Sequence, residues 1–247
     1  MKIIISPAKK MRMDDDAISP CHTPVFIEKA DQLRRYLRGL SLPELKRLLD
    51  CNDAIAALNY ARYQEMDLHR FAGPALLCYD GIQYQYMAPQ VFEDNYFAYV
   101  DKHLRILSGF YGILRPRDGV VLYRLEMQAQ LKTPFCSSLY KFWGDSIYQE
   151  LARDEDLILN LASKEYSRTV ERYLTPEMRF VTCIFGQRDG GRIREKGVYV
   201  KMARGEMVRF MAENNITDAE GIKAFDRLGF AYSPGDSAQD RFVFLRD

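Results

Sequence analysis

The chain has 247 residues, 47% of them hydrophobic, and at this length about 70% of the surface of the unfolded chain can be buried, so no disulfide or metal staple is needed. Lys and Arg number 35 against 34 Asp and Glu, a net charge of +1; overall charge therefore selects no partner, and a nucleic-acid or phosphate site has to come from segregated charge, a basic cleft with acidic outer faces. Ile3–Ile5 is too short for a signal-peptide core and no run approaches the ~20 apolar residues of a membrane span, so the expectation is a soluble, cytoplasmic protein without membrane contact.

In chain order, Ile3–Ile5 reads as a buried strand that runs into Ser6-Pro7-Ala8-Lys9. Asp14–Asp16 is an acidic run, and residues 150–156 are mostly acidic. Residues 33–58 read as helices: Ser41-Leu-Pro-Glu44 is a capping-box pattern with proline in the first turn, and Asn52 or Asp53 can cap the next helix. Ala75–Cys78 is a short apolar run before Tyr79-Asp80-Gly81, hence a strand and a turn. Phe92, Tyr96, Tyr99, Val100, His103 and Leu107 share one face of a helix predicted over 92–107. Residues 119–127 alternate, with Val121, Tyr123, Leu125 and Met127 on one side and Arg124 and Glu126 on the other. A helix is expected over 138–151, a strand over 157–161, and Ser163 as the cap of the next helix. Asp189-Gly190-Gly191 between two expected strands predicts a hairpin. Val198–Val200 reads as a strand leading into a helix from about Met202 to Asn214, Thr217–Glu220 as a second capping box, and 241–245 as a last strand. No repeat or long linker divides the chain. Together these elements predict one α/β (α+β) domain over 1–247, with a mixed central sheet flanked by helices.

The five cysteines, Cys21, Cys51, Cys78, Cys136 and Cys183, are widely spaced and odd in number, and the three histidines lie far apart. This argues against a disulfide framework and a zinc ribbon, and no metal site or cofactor is expected. Walker A, G-x-G-x-x-G and G-x-S-x-G loops do not occur.

The chemistry concentrates where predicted strands end. Ile5 leads to Ser6 and Lys9, Cys78 to Asp80, Leu159 to Asn160, Ser163, Lys164 and Glu165, and Val200 to Lys201 and Arg204. Ligands of open α/β sheets sit beyond the carboxyl ends of strands. If the four ends converge, Lys9, Lys201 and Arg204 supply cations, Ser6, Asn160 and Ser163 donors, and Asp80 and Glu165 carboxylates. The plainer reading is that strands end in polar turns. Ser6-x-x-Lys9 also matches the nucleophilic Ser-x-x-Lys of penicillin-binding enzymes, but its partner tripeptides Ser-Asp-Asn and Lys-Thr-Gly are missing. Gly205 inside a helix costs about 1 kcal/mol relative to alanine, so either a neighbouring backbone or a phosphate comes close to it. Arg209 is a solvated charge or a second cleft cation. Over 104–117 a helix is expected to end at Ser108-Gly109. Gly109 and Gly112 then frame Phe110-Tyr111, with Arg115 and Arg117 following. A glycine C-cap and a loop explain that spacing; alternatively a hairpin aims N–H groups at a phosphate. Arg124 and Glu126 read as a cleft-lining ion pair or a solvated face.

Taken in order, ISPAK, LSGFYGILRP, YRLEM, LYKFWGD, NLASKEY and KMARGEMVRF resemble the YaaA peroxide-stress protein family over nearly the whole chain. The resemblance implies a bacterial cytoplasmic protein of the hydrogen peroxide response with the α/β arrangement called the cantaloupe fold. It also implies a positively charged cleft, a helix-hairpin-helix element, binding to duplex and branched DNA, and a link to DNA repair. A lowering of free intracellular iron is a further proposal for the family. The carried-over positions include Ser6, Lys9, Gly109, Tyr111, Gly112, Arg124, Glu126, Asn160, Ser163, Glu165, Lys201, Arg204 and Arg209, with the helix-hairpin-helix placed at 104–117. Lys10 and Met202 stand where the family often has threonine and lysine.

The resulting expectation is a DNA-binding protein of the peroxide response that grips double-stranded or branched DNA through a basic cleft. Sequence specificity is expected to be low, since no helix rich in Arg, Asn and Gln is present to read bases. The alternative is an enzyme acting on a nucleotide or nucleobase in the same cleft, with a carboxylate as general base.

Overall fold

The computed structural model describes residues 1–13, 19–153 and 155–246; the acidic run Asp14–Asp16 lies outside them. The chain opens with β1 (Lys2–Ile5) and β2 (Lys10–Met11), followed by helices α1 (Ile27–Arg38), α2 (Leu42–Leu49) and α3 (Asp53–Glu65). Next come β3 (Gly73–Pro74), α4 (Ala75–Cys78), β4 (Tyr79–Asp80), α5 (Ile82–Met87) and α6 (Asp94–His103). Strands β5 (Leu104–Ser108), β6 (Gly112–Leu114) and β7 (Gly119–Val120) precede helices α7 (Leu139–Trp143) and α8 (Ser146–Ala152). The last part holds β8 (Leu157–Leu161), α9 (Lys164–Glu171), β9 (Arg179–Asp189), β10 (Arg192–Arg194), α10 (Gly197–Glu213), β11 (Phe230–Tyr232) and β12 (Arg241–Arg246).

Eight strands form the central mixed sheet, in the order β11-β12-β9-β8-β1-β5-β6 with β10 on β9. The inner pairs are parallel: Ile3 of β1 stands opposite Leu104 of β5 and Leu159 of β8, and β9 runs parallel to β8 and β12. The pairs β5–β6, β9–β10 and β11–β12 are antiparallel. Ile3, Ile4 and Ile5 are fully buried, as befits a parallel strand covered on both faces. The hairpin at Gly190-Gly191 has positive φ at both positions, 55° and 78°, the turn whose twist matches the flanking strands. The capping box forms, with the Ser41 N–H donating to Glu44 at 2.8 Å, and Asn52 accepts from the Ile55 N–H at 2.9 Å.

Several expectations are corrected. Ala75–Cys78 is one helical turn, buried throughout; a short apolar run does not tell strand from buried helix. Its first N–H groups, which lack intrahelical partners, donate to the carbonyls of Asp118 and Pro116. The helix predicted over 92–107 ends at His103, and 104–108 is a strand beside β1. Leu107 matched the helical period by coincidence. The alternation over 119–127 is real, but only Gly119–Val120 is laddered. Side-chain bonds hold the rest extended: Tyr63 Oη donates to the Arg124 carbonyl, and Glu165 accepts the Gln128 N–H. The helix over 138–151 is broken at Gly144, which adopts φ 53°. Val198–Val200 is the first turn of α10, not a strand. At 217–220 no capping box forms; Asp218 accepts the Gly221 N–H at the start of a 3-10 turn.

Candidate functional site

Strands β1 and β8 run side by side and release the chain at Ser6 and Ala162, at the same edge of the sheet. Beyond that edge lies a cavity of about 410 Å³, within the range of small-molecule sites, about 300–1,000 Å³. The loop after β1 supplies Ser6 and Lys9, β4 and α5 supply Asp80 and Gln83, the 121–127 segment supplies Arg124 and Glu126, α9 with its cap supplies Ser163 and Glu165, and α10 supplies Lys201 and Arg204. The structure thus gathers nine of the predicted residues on one hollow. Lys201 and Arg204 arrive from inside a helix rather than from a strand end. Their i, i+3 spacing puts both on the face of α10 turned to the cavity.

Ser6 ties the walls together. Its Oγ accepts the Ser163 N–H at 2.8 Å and donates to Ser163 Oγ at 3.2 Å, while its carbonyl accepts from Tyr84 Oη at 3.0 Å. Ser163 stands at the N-cap position of α9, yet its side chain makes no cap bond. Lys9 reaches Glu126 rather than Ser6, so no Ser–Lys nucleophile pair exists. Asn160 does not line the cavity. It is 3% exposed and spends its amide locally, accepting the Ala162 N–H at 2.9 Å and donating to Thr182 at 3.3 Å. Its role is to shape the turn from β8 into α9. Gly205 settles the earlier alternative: a Cβ there would meet the Gln83 carbonyl oxygen at 2.1 Å, so α10 packs backbone to backbone against α5.

Charge is unevenly compensated. Glu126 Oε1 takes both Lys9 Nζ and Arg124 Nη2 at 3.0 Å, and Lys10 pairs with Asp80 at 2.7 Å. Among the described residues, the side chains of Lys201 and Arg204 make no ion pair or hydrogen bond. Arg204 Nε is buried without a partner, and burial lowers the pKa of the guanidinium, with Glu195 opposing from a distance. Burial pushes the Glu165 carboxyl up, and the Glu126 charge adds to the rise, against the Gln128 N–H and Lys9. Among the described residues, no group of three or more His, Cys, Asp or Glu stands where it could hold a metal ion.

The remaining candidates lie elsewhere. Arg115 binds buried Asp118 at 3.0 Å, Arg117 binds Asp101 at 2.5 Å, and Arg209 binds Glu213 at 2.7 Å. Lys164 pairs with Glu171. None of the four lines the cavity. The 104–117 stretch is a strand pair, β5 and β6, and not a helix-hairpin-helix. Its turn is buried: Tyr111 is fully buried, Trp143 Nε1 donates to the Gly109 carbonyl at 3.0 Å, and Gly112, at φ 75°, lies against the Trp143 ring. Ser108 Oγ accepts the Phe110 and Tyr111 N–H groups, so this turn aims no nest at solvent.

Residues outside the predicted cleft set complete the walls. Tyr84, Tyr123 and Tyr166 line the cavity. Tyr123 is anchored from behind by hydroxyl contacts of 2.6 Å with Tyr79 and Ser108. Gln83 also lines it, 7% exposed, with Nε2 buried and unpartnered. Tyr123 and Tyr166 are positions of the quoted motifs YRLEM and NLASKEY; nothing local marks Tyr84 or Gln83.

Comparison with known proteins agrees with the motifs. The family model described as peroxide stress protein YaaA matches residues 1–236. A UPF0246 protein of Desulfitobacterium hafniense is 63% identical over 100% of this chain and 98% of its own. One of Lachnoclostridium phytofermentans is 52% identical over 100% and 96%, and one of Agathobacter rectalis 49% over 100% and 99%. Matched from end to end by such relatives and over nearly its whole length by the family model, the chain belongs to the peroxide stress protein YaaA family.

Proposed function

We propose that the protein serves the peroxide response by binding DNA, and that the cavity takes up one nucleotide unit from a single-stranded, frayed or branched site. The observation that carries this reading is Arg204: a largely buried guanidinium with an unpartnered Nε, next to Lys201, whose ammonium is unpaired among the described residues, in a hollow to which the described residues bring five cations and three carboxylates. A buried charge without a partner is costly, and an arriving phosphate supplies what it lacks. Size argues against duplex entry, since the major groove alone is about 12 Å wide. The predicted arginines outside the cavity, Arg115, Arg117 and Arg209, are already paired with carboxylates.

The test is fluorescence anisotropy with single-stranded, duplex and branched oligonucleotides across a salt series. Two phosphates neutralised by Lys201 and Arg204 give a log–log slope of about −1.4 on a single strand, at about −0.7 per phosphate. Replacing both residues by glutamate abolishes binding with the fold intact. Affinity independent of salt, or binding that survives the double replacement, overturns the proposal.

A second reading, an enzyme acting on a nucleotide or nucleobase, draws on Glu165. A cavity carboxyl whose pKa is raised by burial and by a neighbouring carboxylate is a candidate general acid or base. Its test is product analysis after incubation with nucleotides and oligonucleotides. Turnover lost in Glu165→Gln with binding retained supports it, and unchanged substrates dismiss it.

A further inference from the structure

We propose that the cavity selects guanine, and that Gln83 is the residue that reads it; this rests on the nucleotide-binding reading above. Gln83 is 7% exposed, yet its Nε2 donates to nothing. Two guanidinium nitrogens of the same cavity share that condition: Arg204 Nε and Arg124 Nε are buried and unpartnered. A buried donor without an acceptor is costly, and here the three side chains that carry such donors line one hollow. Arginine nitrogens only donate, so the missing partner is rich in acceptors.

The backbone holds Gln83 beside Arg204. Helix α5 is pressed onto α10 at Gly205, where even a Cβ would strike the Gln83 carbonyl at 2.1 Å and the Met87 nitrogen at 2.9 Å. Gln83 and Arg204 therefore enter the cavity from the two sides of one fixed helix crossing. Guanine is the base that offers two adjacent acceptors, O6 and N7, on one edge; adenine sets an amino donor beside N7. Donors from Gln83 and Arg204 meet both guanine acceptors, whereas adenine offers that edge a single acceptor, N7, so that Gln83 turned to take its amino group on Oε1 would leave Arg204 without a partner. The donors of guanine's remaining edge, N1–H and the 2-amino group, find carboxylate acceptors in the same cavity at Glu126 and Glu165. Tyr84, Tyr123 and Tyr166 add aromatic walls, against which any base can stack. Lys201 and the remaining N–H groups of Arg204 are left for phosphate.

The experiment is calorimetric titration of the full chain with GMP, AMP and guanosine, repeated with Gln83→Ala and Gln83→Glu. A matched contact to a base edge discriminates by about 1–3 kcal/mol, so wild type binds GMP roughly tenfold or more tightly than AMP. Gln83→Ala brings the two to within about twofold, chiefly by weakening GMP, and Gln83→Glu, of equal size, disfavours GMP. Equal affinity of wild type for GMP and AMP overturns the guanine assignment and leaves the binding site standing. A preference that persists in both variants removes Gln83 as its reader. If neither a mononucleotide nor an oligonucleotide binds wild type, both this inference and the reading beneath it fall. Oligonucleotides with a single unpaired G or A separate the two sources: a G preference there assigns the site to DNA, and its restriction to mononucleotides assigns it to free nucleotide.

Discussion

Gly205→Ala is the sharpest probe of how the cavity is built. The added Cβ would lie 2.1 Å from the Gln83 carbonyl oxygen and 2.9 Å from the Met87 nitrogen. The first contact is roughly 1 Å inside the 3.0 Å that real Cβ atoms keep, and both partners are backbone, with no rotamer to relieve the clash. Overpacking of this kind costs about 1–3 kcal/mol, occasionally more, and the rigid partners place it at the upper end. Alanine returns about 1 kcal/mol of helix propensity. The net expectation is a destabilisation of about 2 kcal/mol, read as a lower urea midpoint at unchanged slope. Because α5 has to move, Gln83 and Gly81 move with it, and nucleotide affinity falls even where the variant is folded. A Gly205→Ala protein as stable as wild type, with unchanged binding, would refute the close crossing of α5 and α10.

Three further outcomes follow from the same geometry. Ionising Glu165 is disfavoured in the folded state, so the folded protein holds that proton to higher pH than the unfolded chain does; stability therefore falls as pH rises from the usual glutamate value of about 4.3 through the raised one. Glu165→Gln removes this penalty, and its melting temperature exceeds that of wild type at neutral pH and converges on it in acid; the opposite order would contradict the burial argument. Ser6→Ala leaves the Ser163 N–H without its 2.8 Å acceptor, and the cost is about 1 kcal/mol, at the low end for a partly buried donor; faster hydrogen exchange at that amide is the local readout. Replacing Arg117 and Arg209 by alanine changes oligonucleotide affinity by less than about twofold, since each is already paired with a carboxylate; a large loss would move the binding surface out of the cavity.

Much of the site is legible in the sequence because it follows chain punctuation. Ile3–Ile5 and Leu157–Leu161 are short apolar runs ended by polar residues, and a parallel pairing brings those ends to one edge. Lys201 and Arg204 were reached by a different route than expected: the β-branched start Val198–Val200 imitates a strand, although the helix already begins at Gly197. The 104–117 stretch misleads for the reverse reason. Leu104 and Leu107 extend the helical period of α6, while pairing with β1 makes them strand, and Trp143 covers the turn whose glycines resemble an exposed nest. Asn160 is polar at the right place but is consumed by its own turn. Gln83 carries no local signal at all, because its burial is set by a helix more than a hundred residues later.

The central claim is that DNA is held by a nucleotide inside the cavity, and competition tests it most directly. A labelled single-stranded oligonucleotide bound to wild type is titrated with unlabelled GMP. Occupancy of one hollow predicts complete displacement, with an inhibition constant equal to the directly measured GMP affinity. Oligonucleotide that stays bound at saturating GMP would show that the two use different surfaces, and would contradict the account.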